Sequence, residues 1–283
     1  MSQPLHSMSF DVEEWFQVAN HSHACPRERW DEFESRVEPA MGRVLDLLER
    51  RDCRATMFFL GWIAERHPDL VRRCLDAGHE VASHGYDHRF LGELGPEGLH
   101  ADLQRTEEAL AAAGAPKPRG FRASTFTLNR ETWWAFDVLL ERGYTYDSSV
   151  HPIRHPTYGV PGFEPAISRV DLDGGSMVEF PVSTFPMLGR NWPVGGGGYF
   201  RLLPGPVQRS LIASLERRGR ATATYLHPWE FDPEQPLVKA SLSKRFRHRV
   251  GLGRTLDRLD AFLERFPCES MENVLGRSGF LEE

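Results

Sequence analysis

An α/β fold, a parallel sheet curving towards a barrel, is what this 283-residue sequence predicts. Three observations carry the prediction. Short apolar runs alternate with helical patterns up to about residue 150. The run Ala55-Thr56-Met57-Phe58-Phe59-Leu60-Gly61 is continuous, as in a parallel strand covered on both faces. Asp11, His84, Arg122 and Asp147 each follow directly on such a run, and barrels of this class carry their chemistry at strand C-termini.

The first strand, Met8-Ser9-Phe10-Asp11-Val12, ends among the acids Asp11, Glu13 and Glu14, with Trp15 and Phe16 next. Residues 20–36 are polar, lack periodicity and read as a long functional loop. Val37, Met41, Val44, Leu45 and Leu48 share one helical face, with Pro39 tolerated in the first turn. After the 55–61 run a helix is expected over 63–77, stopped by Gly78. Residues 80–83 form a short strand that delivers His84 and His88. A helix over 96–113 precedes a strand at 119–123. A helix over 130–142 then precedes a strand at 144–147.

The stretch 151–198 is rich in Pro and Gly. It reads as an insertion walling the site, with a hairpin around Asp173-Gly174-Gly175-Ser176 and a glycine-rich loop at 191–198. The alternation then returns as a helix over 206–218, a strand over 221–226 and His227. A last amphipathic helix follows over 251–266, with Leu256, Leu259, Phe262 and Leu263 on its apolar face.

Composition excludes several classes. A net charge of -6 and the lack of a basic stripe interleaved with aromatics argue against nucleic-acid binding. The run Lys244-Arg245-Phe246-Arg247-His248-Arg249 reads as a solvated helix face, with an anchor to an anionic polymer or membrane as the alternative. The N-terminus lacks the charged and apolar regions of a signal peptide, and no apolar run approaches the ~18 residues of a span. The scattered cysteines (Cys25, Cys53, Cys74, Cys268) read as free thiols, so a cytoplasmic location is expected. Neither a P-loop nor a GxSxG elbow is present.

His84 and His88, four apart, can grip one divalent cation, and a catalytic site then needs a third ligand. Asp11, nearest its strand end, is expected as the base. Glu13 shares its direction in an extended chain and is the preferred third ligand, with Glu14 in reserve. Arg122, at a buried strand end, needs a carboxylate, and Asp11 is the expected one, with a plain structural ion pair as the bland alternative. His227 is expected as the general acid, oriented by Asp147. Trp15, Trp192 and Trp229 are candidate stacking surfaces for sugar rings, although any single tryptophan more often packs.

Taken in order, Ser9-Phe10-Asp11-Val12-Glu13-Glu14-Trp15-Phe16, Ala55 to Gly61, Ser83-His84-Gly85-Tyr86-Asp87-His88, Phe121-Arg122-Ala123 and Leu226-His227-Pro228 resemble the NodB-homology polysaccharide deacetylases (carbohydrate esterase family 4). Tyr146-Asp147-Ser148-Ser149, Gly196-Gly197-Gly198-Tyr199-Phe200-Arg201 and Val250-Gly251-Leu252-Gly253-Arg254-Thr255 are similar to its bacterial exopolysaccharide and exosortase-associated branch, which carries a C-terminal extension. The resemblance implies one domain over 1–283 with a distorted (β/α)7 barrel. Its core would cover about 8–150 and 199–235, with an insertion at 151–198 and an extension at 236–283.

It also implies one divalent metal ion, zinc first and cobalt, nickel or manganese as alternatives. The implied reaction is hydrolysis of N-acetyl groups on an exopolysaccharide or its lipid-linked precursor, with peripheral association with a membrane biosynthetic complex. Carried over, Asp11 matches the base, His84 and His88 the ligands, Arg122 the partner of the base and His227 the acid. Val12 stands where the family has its second aspartate, and Ser124 where it has a proline. Those departures resemble a subgroup that includes purine-catabolism amidases, so a small cyclic amide or ureide is the alternative substrate. A glycan-binding pseudoenzyme is the alternative class.

Overall fold

The computed structural model describes residues 5–155, 158–238 and 241–282. Strand β1 (His6–Val12) sets the plan, because its residues alternate in kind. Met8, Phe10 and Val12 belong to the apolar layer under the outer helices, whereas Ser9 and Asp11 meet Arg122 within the ring of strands. A period of two therefore separates a greasy outer face from a polar inner one.

The other elements follow in chain order. They are α1 (Val37–Arg50), β2 (Thr56–Phe59), α2 (Gly61–Arg66), α3 (Pro68–Asp76), β3 (Glu80–Ser83), α4 (Leu91–Ala112), β4 (Gly120–Phe121), α5 (Ala135–Glu141) and β5 (Tyr146–Asp147). Then come β6 (Ser168–Leu172), β7 (Gly175–Glu179), β8 (Thr184–Met187), β9 (Arg190–Pro193), α6 (Gly197–Leu202), α7 (Gly205–Arg217) and β10 (Thr222–Leu226). Helices α8 (Leu242–Arg249) and α9 (Thr255–Arg265), strand β11 (Cys268–Glu269) and helix α10 (Met271–Arg277) complete the chain.

The sheet runs β10-β1-β2-β3-β4-β5-β7-β6, parallel throughout except for the antiparallel β6–β7 hairpin at its edge. The gap beyond β10 is narrowed by loop backbone. Ser183 N–H donates to Ala223 O at 3.1 Å, and Tyr225 N–H donates to Gly195 O at 2.7 Å. Gly196 must be glycine here, since a Cβ would lie 1.9 Å from the Tyr225 ring. The ring interior holds Phe58, Ala82, Tyr146, Phe180 and Ala223, and α10 adds Met271, Val274 and Leu275 to that cluster. The architecture is thus the expected α/β one, with a mostly parallel sheet.

Several expectations are corrected. The helix over 63–77 is two helices, because Pro68 cannot continue α2 and instead starts α3. The stretch 151–198 does form the hairpin at 173–176, but β7 pairs in parallel with β5 and so belongs to the sheet. The loop over 20–36 contains two short 3-10 helices, at Arg27–Glu32 and Ala19–His21. Helix α9 is not the last, since β11 pairs with the start of β1 and α10 packs into the interior.

Candidate active site

At the C-terminal end of β1 the inward-facing residues become charged. Asp11 Oδ1 accepts from Arg122 Nη1 at 2.6 Å, with Arg122 wholly buried. The same guanidinium donates to Ser9 Oγ at 2.9 Å, Ser148 O at 3.1 Å and Ser148 Oγ at 2.9 Å. It lies 4.2 Å from the centre of the Phe58 ring. A buried cation needs such a set of acceptors, and the set leaves Asp11 Oδ2 to face the cleft.

Two residues on, Glu13 faces the same way and meets the histidines from β3. One potential ligand atom each from Glu13, His84 and His88 lies within 4.8 Å of the others. His84 Nδ1 is 2.8 Å from Arg122 O. A carbonyl only accepts, so Nδ1 carries the proton and Nε2 keeps its lone pair. His88 has a left-handed backbone (φ 59°). Arg27 braces it by donating to the carbonyls of Asp87 and His88, both at 3.1 Å.

Glu13 Oε1 accepts from Trp229 Nε1 at 3.0 Å. Glu13 Oε2 is buried without a hydrogen-bond partner, although His88 Nε2 stands 2.9 Å away. Two imidazole nitrogens and an orphaned buried carboxylate oxygen fit one divalent cation. Protonation states agree. Burial, with His88 adding to it, drives the His84 pKa down to about 4. Burial works against the Glu13 carboxylate, but His88, His227 and His84 hold its pKa down to about 2. Both are unprotonated near neutral pH.

Glu14, the reserve ligand, points elsewhere. Its carboxylate accepts from Ser35 Oγ at 2.5 Å and from the Arg36 and Val37 N–H groups at 2.9 and 3.1 Å, which caps α1.

His227 stands at the end of β10. Its Nε2 is 3.9 Å from Asp11 Oδ2 and 3.8 Å from Glu13 Oε1. Its Nδ1 lies 2.7 Å from Glu230 Oε1, which also accepts the His227 backbone N–H at 3.0 Å. Glu230 Oε2 takes Arg201 Nε at 2.5 Å, and Arg201 Nη1 donates to the carbonyls of His248 and Val250 at 2.9 and 2.6 Å. Burial alone would depress the imidazole. The bond to Glu230 and the charges of Glu13, Glu230 and Asp11 overcome it and raise the pKa to about 9.

The expected orienting acid, Asp147, is not beside His227. β5 and β7 align Asp147 with Glu179. Asp147 accepts from Ser149 N–H at 3.1 Å and Ser149 Oγ at 2.5 Å, and its register neighbour is Glu179. Burial raises both carboxyls, Asp147 to about 6.

The tryptophans separate three ways. Trp229 lines the cleft, stacks on His227 (centroids 5.0 Å apart, 21°) and on His248 (4.5 Å, 20°), and holds Glu13. Trp15 is buried, donates to Glu34 O at 3.0 Å and packs on Phe16 and Phe33. Trp192 is 47% exposed on β9 and does not line the cleft. So neither Trp15 nor Trp192 offers a surface to a bound ring there.

The cleft measures about 480 Å³ and brings together Asp11, Glu13, His84, His88, His227 and Trp229. Tyr158, Tyr199, Tyr225, Arg201 and Arg247 also line it and were not anticipated. Nor was Glu230. The signal for it was local: His227-Pro228-Trp229-Glu230 is a capping box, with an acid three residues after the capping residue.

Comparison with known proteins places these residues in a family context. A family model described as polysaccharide deacetylase matches residues 25–146, and one described as a domain of unknown function (DUF3473) matches 148–276. His84, His88 and Arg122 fall in the first match and His227, Glu230 and Arg247 in the second, while Asp11 and Glu13 precede both.

Over 150 residues the chain is 29% identical to a peptidoglycan deacetylase-like protein of Gibberella zeae, covering 52% of this chain and 43% of that protein. Over 72 residues it is 39% identical to a chitooligosaccharide deacetylase of Rhizobium leguminosarum bv. trifolii, covering 25% of this chain and 34% of the other. The chain thus spans less than half the length of these two relatives. A crystal structure assigned as a polysaccharide deacetylase from Mycobacterium smegmatis superposes with a TM-score of 0.66 at 20% identity, over 99% of this chain and 93% of that one. At that identity the likeness speaks for the fold.

Proposed function

We propose that this chain, in which residues 25–146 match the polysaccharide deacetylase model and residues 148–276 the DUF3473 one, is a metal-dependent N-deacetylase. The substrate would be an N-acetylated amino sugar within an exopolysaccharide or its lipid-linked precursor. The observation that carries the proposal is the meeting of Asp11 and His227 over the Glu13–His84–His88 cluster in one cleft.

A divalent ion held by Glu13, His84 and His88 would polarise the amide carbonyl and lower the pKa of water. The chain's own residues supply the rest. Asp11, fixed by Arg122, accepts a proton from the attacking water at Oδ2. His227, protonated and fixed by Glu230, donates the Nε2 proton to the leaving nitrogen. Water adds to the carbonyl carbon, the C–N bond breaks, and the products are acetate and the free amine. Glu230, not Asp147, is the positioning residue for the acid.

We assign the alternative, hydrolysis of a small cyclic amide, a lower rank. The cleft volume of about 480 Å³ and the rim tyrosines suit a sugar residue with neighbours. We also place the protein in the cytoplasm, at the inner face of the membrane. Among the described residues no helix is long and apolar enough to cross a membrane. The test is acetate release from N-acetylglucosamine oligomers by the zinc-loaded chain. Acetate release that survives His84→Ala, or ring-opening hydrolysis of a cyclic ureide with no acetate release from the glycan, overturns the assignment.

A further inference from the structure

Among the described residues, the charges in the cleft are paired, with one exception. Asp11 has Arg122, Glu13 has the histidines, and Arg201 has Glu230. Arg247 also lines the cleft, and its guanidinium has no hydrogen-bond or ion-pair partner among the described residues. Among the described residues the lining contains no carboxylate besides Asp11 and Glu13. In a chain of net charge -6, this cleft is locally cationic, more so once a divalent ion is held. Low-dielectric walls focus such a field on an incoming ligand.

The position of Arg247 says which part of a ligand it would meet. Helix α8 is tied to the catalytic acid by a short relay. The carbonyls of Arg247, His248 and Val250 accept from Arg201, Arg201 holds Glu230, and Glu230 holds His227. Arg247 therefore stands on the side of the cleft that protonates the leaving amine, which is the sugar side of the scissile bond. His155 also lines the cleft, stacked on Tyr158 (3.8 Å, 22°). A planar, unpaired guanidinium beside a stacked aromatic pair suits an anionic group carried on or next to a sugar ring.

We propose that the substrate is an anionic N-acetylated glycan, whose negative group, a uronate carboxylate or a glycosyl phosphate, is bound by Arg247 beside the acetamido sugar. The inference rests on the deacetylase reading for the orientation of the sugar, but not for the binding itself.

Binding and acetate release are measured separately, on the zinc-loaded full chain. The probes are a neutral N-acetylglucosamine tetrasaccharide, an alternating N-acetylglucosamine–glucuronate tetrasaccharide, and UDP-N-acetylglucosamine. One of the two anionic probes should bind about five- to tenfold more tightly than the neutral one at low salt, and the advantage should shrink as salt rises. Which probe shows it identifies carboxylate or phosphate. Arg247→Ala should abolish the advantage and Arg247→Lys restore part of it. Arg245→Ala, on the same exposed helix but outside the cleft, should keep it.

Equal binding of all three probes overturns the proposal, and so does an Arg247→Ala loss that is equal for all three. Arg247-dependent binding without acetate release supports this subsite and counts against deacetylation. Acetate release indifferent to Arg247→Ala on the anionic probes does the reverse.

Discussion

His227 Nδ1 and Glu230 Oε1 lie 2.7 Å apart, and the same carboxylate oxygen holds the His227 backbone N–H at 3.0 Å. One oxygen thus sets both the ring's tautomer and the turn that carries it. Glu230→Gln should lower kcat for deacetylation by about tenfold or more, as expected when a general acid loses its orienting charge. KM should move little. Because Arg201 is left buried beside an uncharged amide, stability should also fall, so the rate is taken per folded molecule. Asp147→Asn should cost less in kcat than Glu230→Gln. An equal loss would restore Asp147 to the orienting role.

Glu13 and Glu14 are neighbours with different surroundings, Glu13 among the two histidines and Glu14 at the start of α1. Metal analysis of the zinc-loaded protein should find about one equivalent per chain, as for a catalytic site with three protein ligands. Glu13→Gln should reduce that occupancy, and His84→Ala should too. Glu14→Ala should keep the metal but lose the acceptor that caps α1, at a cost of about 0.5–2 kcal/mol in unfolding free energy. Metal loss in Glu14→Ala at retained occupancy in Glu13→Gln would reverse the two roles.

Trp229 donates to the carboxylate of a metal-cluster residue and stacks on the candidate acid. Trp229→Phe preserves the stack and removes the N–H, so metal affinity should fall by about tenfold, the usual range for an outer-shell partner. Trp192→Ala should leave zinc affinity and chitooligosaccharide turnover as they are. A large rise in KM for Trp192→Ala would bring that exposed ring back as a sugar platform.

Acid should destabilise the fold through buried neutral histidines. Burial holds His79 at about 4 and His151 at about 3, against an ordinary value of 6.5. Between pH 6.5 and 4 the unfolded chain therefore binds protons that the folded chain refuses, and stability falls as pH falls. The slope is about 1.4 kcal/mol per pH unit for each such group. His79 has a visible reason to stay neutral, since its Nδ1 accepts the Ala55 N–H at 3.3 Å. His79→Gln should flatten the pH dependence of denaturant unfolding by about one proton between pH 6 and 5. An unchanged slope would show that His79 titrates normally.

Much of the site was legible because it is local. The alternation Ser9-Phe10-Asp11-Val12-Glu13 commits Asp11 and Glu13 to one face, and the structure keeps both inside the ring. His84 and His88 are read from their spacing after a short strand, and they converge with Glu13 as expected. The Arg122–Asp11 pair followed from the cost of burying an unpaired guanidinium. Strand and helix positions were equally clear wherever periodicity was strong, as in α1 and α7, and failed at Pro68, where backbone chemistry outranks an apolar pattern.

By itself, then, the sequence determined the α/β class, the inward face of β1, the histidine pair and the arginine that answers Asp11. These depend on side-chain period and on residues adjacent in the chain. Tertiary structure alone decided where Asp147, Trp15, Trp229 and Arg247 stand. The β5–β7 register sets Asp147 against Glu179, which removes it from His227. Trp229 meets Glu13 across 216 positions of sequence, and α8 reaches the acid through Arg201 and Glu230 and through the His248–Trp229 stack. Such contacts are set by which strands and helices pack together, and no local period in the chain encodes that choice.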